Sequence, residues 1–275
     1  MMNDKHATTV LHNGVHMPWV GLGVYKVDKG DEVVQAVDAA LKAGYRSIDT
    51  AAFYDNEEGV GQAIAESGVP RDDIFLTSKV WNDRHGYEET LAAFEESRKK
   101  LGVDVIDLYL IHWPVTGKHK ETWRALETLY EEGKVRAIGV SNYLVRHLNE
   151  LLKDAKIVPM VNQVEYHPWL QQPELHHFCK ENNIQLEAWS PLTRGRKFDD
   201  PLLVKLSEKY GKSPAQILIR WDLQKQVVTI PKSVTPERIR ANIDVFDFTL
   251  TGEEMTELNN YDVEERFGSD PNAFD

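Results

Sequence analysis

Short β-branched apolar runs alternate along the chain with longer stretches in which apolar residues recur at helical spacing. The runs fall near Gly21–Tyr25, Ser47–Ala51, Ile74–Val80, Val105–Trp113, Val135–Asn142, Met160–Tyr166, Gln185–Pro191 and Val227–Ser233. Between them lie amphipathic segments such as "DEVVQAVDAALKAG", "GYEETLAAFEESRKKLG", "ETWRALETLYEEGK" and "SPAQILIRWDLQK", several closed by a glycine suited to a helix C-terminal cap. Ahead of the first run, "TTVLHNGVHMPWV" predicts a β-hairpin, with Asn13-Gly14 as a two-residue turn. Strand and helix repeating in strict order predict an α/β fold, a closed (β/α)8 barrel of the TIM type, whose usual length is about 250 residues. The hairpin is expected to close its bottom. No linker or shift in composition divides the 275 residues, so a single domain over positions 1–275 is expected.

Composition narrows the function more than the fold. The 44 acidic residues outnumber the 32 Lys and Arg, giving a net charge of −12, which repels a polyanion and argues against nucleic acid as a partner. Any anion site must then be built locally. With Cys179 as the only cysteine there is no intramolecular disulfide and no cysteine zinc set. His12 and His16 flank a turn and His176-His177 are adjacent on a helix, so neither pair offers a metal site. "MMNDKHATTV" has no signal-peptide pattern, and no segment approaches the ~18 apolar residues of a membrane span; a cytoplasmic address is expected.

In such a barrel the chemistry sits at the C-terminal ends of the strands, and here those ends are polar. The second strand ends in Asp49, the third in Lys79 followed by Trp81, the fourth in His112-Trp113 and the fifth in Ser141-Asn142. The sixth carries Gln163, the seventh ends Trp189-Ser190 and the eighth Lys232-Ser233. Asp, Lys and His converging on one mouth must pair, because an unpaired buried charge costs several kcal/mol.

These residues carry a resemblance that spans essentially the whole chain. "GYRSIDTAAFYDNEEGVG", "LYLIHWP", "VRAIGVSN", "MVNQVEYHP", "AWSPL" and "IPKSVTPERIRAN" resemble, in order, the signatures of the aldo-keto reductases, in particular the bacterial branch with short loops that includes glyoxal/methylglyoxal and 2,5-diketo-D-gluconate reductases. The resemblance implies a catalytic tetrad of Asp49, Tyr54, Lys79 and His112. Hydride addition to a carbonyl needs a proton donor at the oxygen, and a free tyrosine titrates near ~10. A neighbouring lysine is expected to lower the Tyr54 pKa, Asp49 to keep Lys79 charged, and His112 to orient the carbonyl.

The Gly-x-Gly at Gly21–Gly23 lacks the rest of a Rossmann fingerprint. The resemblance implies instead NADPH extended over the barrel mouth. Its carboxamide would be held by Ser141, Asn142 and Gln163, its nicotinamide stacked on Trp189, its pyrophosphate lined by Ser190 and Leu192, and its adenosine end bound by Lys232, Ser233, Val234, Thr235, Arg238 and Asn242. Thr235 is a plausible N-cap with Pro236 behind it. Ala241 departs from the glutamate that many relatives place against adenine.

Short connections, "VTGKHKE" and "TRGRKFDD", predict an open pocket walled by Tyr25, Trp81 and Trp113 beside His112, suited to a small carbonyl substrate. The expected function is NADPH-dependent reduction of small aldehydes and ketones by a monomer with no nucleic-acid or membrane partner. Competing readings are a keto-sugar reductase of the same family, a Schiff-base aldolase using Lys79 or Lys232, and a barrel that binds a cofactor without catalysis.

Overall fold

The computed structural model describes residues 4–274. The hairpin pairs β1 (Thr8–Val10) with β2 (His16–Pro18), Thr9 opposite Met17. Its turn differs from the two-residue form expected of Asn13-Gly14. Leu11 and Val15 still pair, Gly14 N–H returns to Leu11 O at 2.8 Å, and only Gly14 has a positive φ, of 87°. That is a three-residue loop with glycine in the left-handed position, and Asn13 serves it through its side chain, Oδ1 accepting from Val15 N–H.

Eight parallel strands follow among the described residues: β3 (Leu22–Gly23), β4 (Ser47–Asp49), β5 (Phe75–Val80), β6 (Ile106–Ile111), β7 (Val135–Ser141), β8 (Val161–Glu165), β9 (Gln185–Trp189) and β10 (Val228–Thr229). Each hydrogen-bonds to the next, and Val20 bridges Thr229 to join the last strand to the first. Gly21 N–H to Thr229 O and Thr229 N–H to Trp19 O, at 2.9 and 3.0 Å, complete that seam. The ring is therefore closed. Its strands are buried along almost their whole length, which is why they read as continuous apolar runs.

The seam also explains the Gly-x-Gly. A Cβ on Gly23 would stand 2.8 Å from the Ile230 carbonyl oxygen, so glycine is required by close strand approach, not by a phosphate. The strands are shorter than the sequence runs. Pro231 has no N–H to extend β10, and this leaves Lys232 and Ser233 on a loop.

Helices α1 (Asp31–Ala43), α2 (Glu57–Glu66), α3 (Tyr87–Leu101), α4 (His119–Glu131), α5 (Val145–Leu152) and α6 (Pro173–Glu181) return the chain after β3 to β8 in turn. After β9 come two helices, α7 (Pro201–Tyr210), N-capped by Asp200, and α8 (Pro214–Gln224), with a Ser213–Gln216 capping box. Then α9 (Pro236–Ile243) follows β10, and α10 (Gly252–Asn259) leads into the C-terminal segment.

The hairpin lies across the N-terminal ends of the strands. Thr9 Oγ1 donates to Gln185 Oε1 and Asn13 Nδ2 to Arg136 O. The bottom is closed, and the polar strand ends collect at the other rim.

Candidate active site

Strand register brings the charged residues together. Asp49 closes β4 and Lys79 sits one residue before the end of β5, both inside the barrel and almost wholly buried. Lys79 Nζ donates to Asp49 Oδ1 at 2.6 Å, to Thr50 O at 3.0 Å and to the Tyr54 hydroxyl at 3.3 Å. All three ammonium protons thus have partners, as a buried cation requires.

Tyr54 owes its place to a short 3₁₀ turn, Ala52–Tyr54, ended by Asp55 in the left-handed region. Asn56 pins that turn. Its Nδ2 donates to Val24 O and Val27 O, and its Oδ1 accepts from Thr50 Oγ1. His112 lies one residue past β6, its N–H on Val80 O, and its ring stands edge-on to Tyr54 at 5.7 Å between centroids. The four residues that the family resemblance grouped are neighbours here.

The electrostatics refine the expectation for Tyr54. Burial pushes its phenol up, Lys79 pulls it back and Asp49 pushes again, leaving it at about 12. The lysine opposes the rise without reversing it, so Tyr54 holds its proton at neutral pH, contrary to the expected net lowering. Burial alone would lower Lys79, but Asp49, Tyr54 and Glu187 outweigh it and raise its pKa. His112 is held well below the ordinary histidine value by burial and by Lys79 and His85, and is therefore neutral; its buried Nδ1 has no partner among the described residues.

A second layer flanks this group. Ser141 Oγ donates to Gln163 O at 2.8 Å. Asn142, with φ of 65°, gives Nδ2 to His112 O and accepts at Oδ1 from Trp189 Nε1 at 2.8 Å. Gln163 Nε2 donates to Asp49 Oδ2 at 2.7 Å and to Glu187 Oε2 at 2.8 Å. Sequence reasoning passed over Glu187. The signal was present, since Gln185, Glu187 and Trp189 alternate on β9 and a charge in mid-strand must point somewhere.

The aromatic walls are broader than expected. Trp81 stacks on Phe53 at 3.8 Å between centroids, Trp113 on Phe274 at 4.2 Å, and Tyr25 lies 5.0 Å from Tyr54. Phe53 and Phe274 were not anticipated. Phe274 arrives with the C-terminal segment, which Glu165 anchors by accepting from Phe267 N–H at 2.6 Å and Gly268 N–H at 3.0 Å. Phe274 thus brings the C-terminal segment against Trp113, which in turn stacks with His112.

Ser190 takes φ of 54° just past β9, and Leu192 packs partly buried against the core. The remaining predicted residues form a separate cluster after β10. Ser233 and Asn242 are buried, Val234 and Thr235 half-buried, Lys232 and Arg238 exposed. Thr235 is the N-cap of α9 by position, yet its side chain caps nothing, unlike those of Asp200, Ser213 and Thr251. Among the described residues Lys232 and Arg238 make no ion pair or hydrogen bond. An uncapped helix start beside two uncommitted cations, in a chain of net charge −12, has the donor chemistry of a phosphate site. A cavity of about 350 Å³ lined by Lys5, His16, Arg46 and Arg136 lies instead at the hairpin end, away from Tyr54.

The comparisons name the family of the chain. Residues 20–262 match the Aldo/keto reductase family. Glyoxal reductase of Bacillus subtilis (strain 168) is 60% identical over 96% of both chains, and methylglyoxal reductase DkgA of Escherichia coli (strain K12) is 46% identical, again over 96% of each. The crystal structure of a variant of Gox0644 in complex with NADPH superposes with a TM-score of 0.93 at 44% identity, over 98% of each chain. The closed parallel barrel, the polar rim and these relatives together establish that the chain is an oxidoreductase belonging to the aldo/keto reductase family.

Proposed function

We propose that this chain, acting as a single barrel domain, reduces small aldehydes and ketones of the glyoxal and methylglyoxal kind to alcohols, using NADPH. NADPH would supply the hydride. The observation that carries the reading is the contact of Lys79 Nζ with both Asp49 Oδ1 at 2.6 Å and the Tyr54 hydroxyl at 3.3 Å.

In this reading Tyr54 gives its proton to the carbonyl oxygen of the substrate. Lys79 offsets the phenolate that remains, and Asp49 holds Lys79 charged and aimed. Neutral His112 donates one ring N–H to the same oxygen and fixes its direction. Ser141, Asn142 and Gln163 are assigned to the carboxamide of the cofactor, Trp189 to its ring, Ser190 and Leu192 to the pyrophosphate path, and Lys232, Ser233, Val234, Thr235, Arg238 and Asn242 to its adenosine end. Tyr25, Phe53, Trp81 and Trp113 would bound the space left for the substrate.

A Schiff-base role for Lys79 is disfavoured, because a nucleophilic amine needs a free lone pair and this one is a fully buried ammonium with three acceptors. The deciding experiment is a steady-state comparison of NADPH and NADH with methylglyoxal, glyoxal, aromatic aldehydes and diketogluconate. NADPH consumption fastest with the small dicarbonyls supports the proposal. No consumption with any carbonyl refutes it, and a preference for diketogluconate moves the substrate to keto sugars.

A further inference from the structure

Glu187 is a buried carboxyl of the barrel interior that the proposed reaction does not use. It is fully buried on β9, and its only hydrogen bond among the described residues comes from Gln163. The charged and titratable groups that face it are Asp49 from β4 and Lys79 from β5, with Tyr54 beyond Lys79.

An amide NH2 has two protons. Gln163 spends one on Asp49 Oδ2 and the other on Glu187 Oε2. The reversed amide would set its oxygen against Asp49 Oδ2, the counter-charge of Lys79, so the orientation is determined by that neighbour. We propose that Glu187 is a positioning residue for the nicotinamide end of the site: with Asp49 it takes both N–H groups of Gln163, and so presents Gln163 Oε1 to the ligand as a pure acceptor for a carboxamide NH2. This rests on the cofactor reading above.

Without Glu187 only the Asp49 bond remains, and one buried N–H loses its partner. A preorganised acceptor becomes a loose one. Because Gln163 lies on β8, apart from the Lys232–Arg238 cluster, the loss should be felt by the nicotinamide end alone.

The test is equilibrium binding, by quenching of tryptophan fluorescence, of NADPH, NADH and 2′,5′-ADP, which lacks the nicotinamide. Glu187→Leu is expected to weaken NADPH and NADH alike, by roughly tenfold, the scale of one buried hydrogen bond, and to leave 2′,5′-ADP unchanged. Glu187→Gln restores an acceptor and should restore both dinucleotides. Glu187→Asp, which withdraws the acceptor by one carbon, gives the same reading if the leucine variant does not fold. The 3-acetylpyridine analogue of NADPH, with methyl in place of NH2, should bind wild type more weakly than NADPH and lose that handicap in Glu187→Leu. Unchanged NADPH binding in the variants, or equal weakening of 2′,5′-ADP, overturns the inference while the cofactor reading stands. A wild type that binds 2′,5′-ADP and neither dinucleotide overturns the cofactor reading itself, and this inference with it.

Discussion

The ammonium of Lys79 stands 3.3 Å from the hydroxyl of Tyr54, at the end of a strand whose neighbour supplies its counter-charge, Asp49, at 2.6 Å. A cation is thereby held against a phenol inside a closed barrel, where neither could be placed alone without a large desolvation cost.

Removing the counter-charge should therefore affect both stability and rate. Asp49→Asn leaves Lys79 a buried cation without its anion and takes an anionic acceptor from Gln163. Thermal or urea unfolding should show a loss of about 3–5 kcal/mol, and kcat for methylglyoxal should fall by on the order of 10²-fold. A variant with native stability and native kcat would mean that the pair does not support the site.

Arg238→Ala should separate the two cofactors. Arg238 is exposed and uncommitted at the start of α9, and a charge-assisted bond to phosphate is worth ~1.5–3 kcal/mol. The Kd of NADPH should rise by roughly tenfold or more while that of NADH stays nearly unchanged, and the difference should shrink in high salt. Equal weakening of both would show that this cluster reads no phosphate.

Substrate size should be set by the aromatic walls. With Phe53 on Trp81 and Phe274 on Trp113, kcat/KM should be higher for methylglyoxal or a small aromatic aldehyde than for a steroid ketone. Trp113→Ala should narrow that gap, since it removes the platform under Phe274. A wild type that prefers the steroid contradicts the small-carbonyl reading.

Stability should also carry the signature of Glu187. Burial, reinforced by the Asp49 charge, raises its carboxyl from 4.5 to about 8. Between those values the folded protein keeps a proton that the unfolded chain releases, so this group's contribution to stability falls as pH rises from about 4.5 to 8. Glu187→Gln removes the titration, and its melting temperature relative to wild type should rise across that interval. A constant difference from pH 5 to pH 8 would contradict a raised pKa.

The barrel was legible because its strands are buried on both faces and its helices on one, so periodicity alone separates them. Asp49, Lys79 and His112 were legible as polar residues interrupting apolar strand ends, whereas Tyr54 was singled out only by the family resemblance. Other features depend on tertiary neighbours. The hairpin loop has three residues because Gly14 alone takes the left-handed position, and Asn-Gly by itself does not distinguish that loop from the two-residue turn. Thr235 precedes Pro236 like any N-cap, but its side chain leaves the helix start open. Phe274 lies 161 positions beyond Trp113 and meets it at the end of a segment that Glu165 anchors through Phe267 and Gly268. Glu187 was visible as a charge in mid-strand, but its partner amide was not.

The central claim is that Tyr54 is the proton donor, and Tyr54→Phe tests it most directly because the ring stays and only the hydroxyl goes. Single-turnover and steady-state rates with methylglyoxal should be measured alongside NADPH binding by fluorescence titration. The account predicts a native fold, a native Kd for NADPH and a kcat lower by on the order of 10²-fold or more. Near-native kcat in a variant that titrates NADPH normally would contradict it.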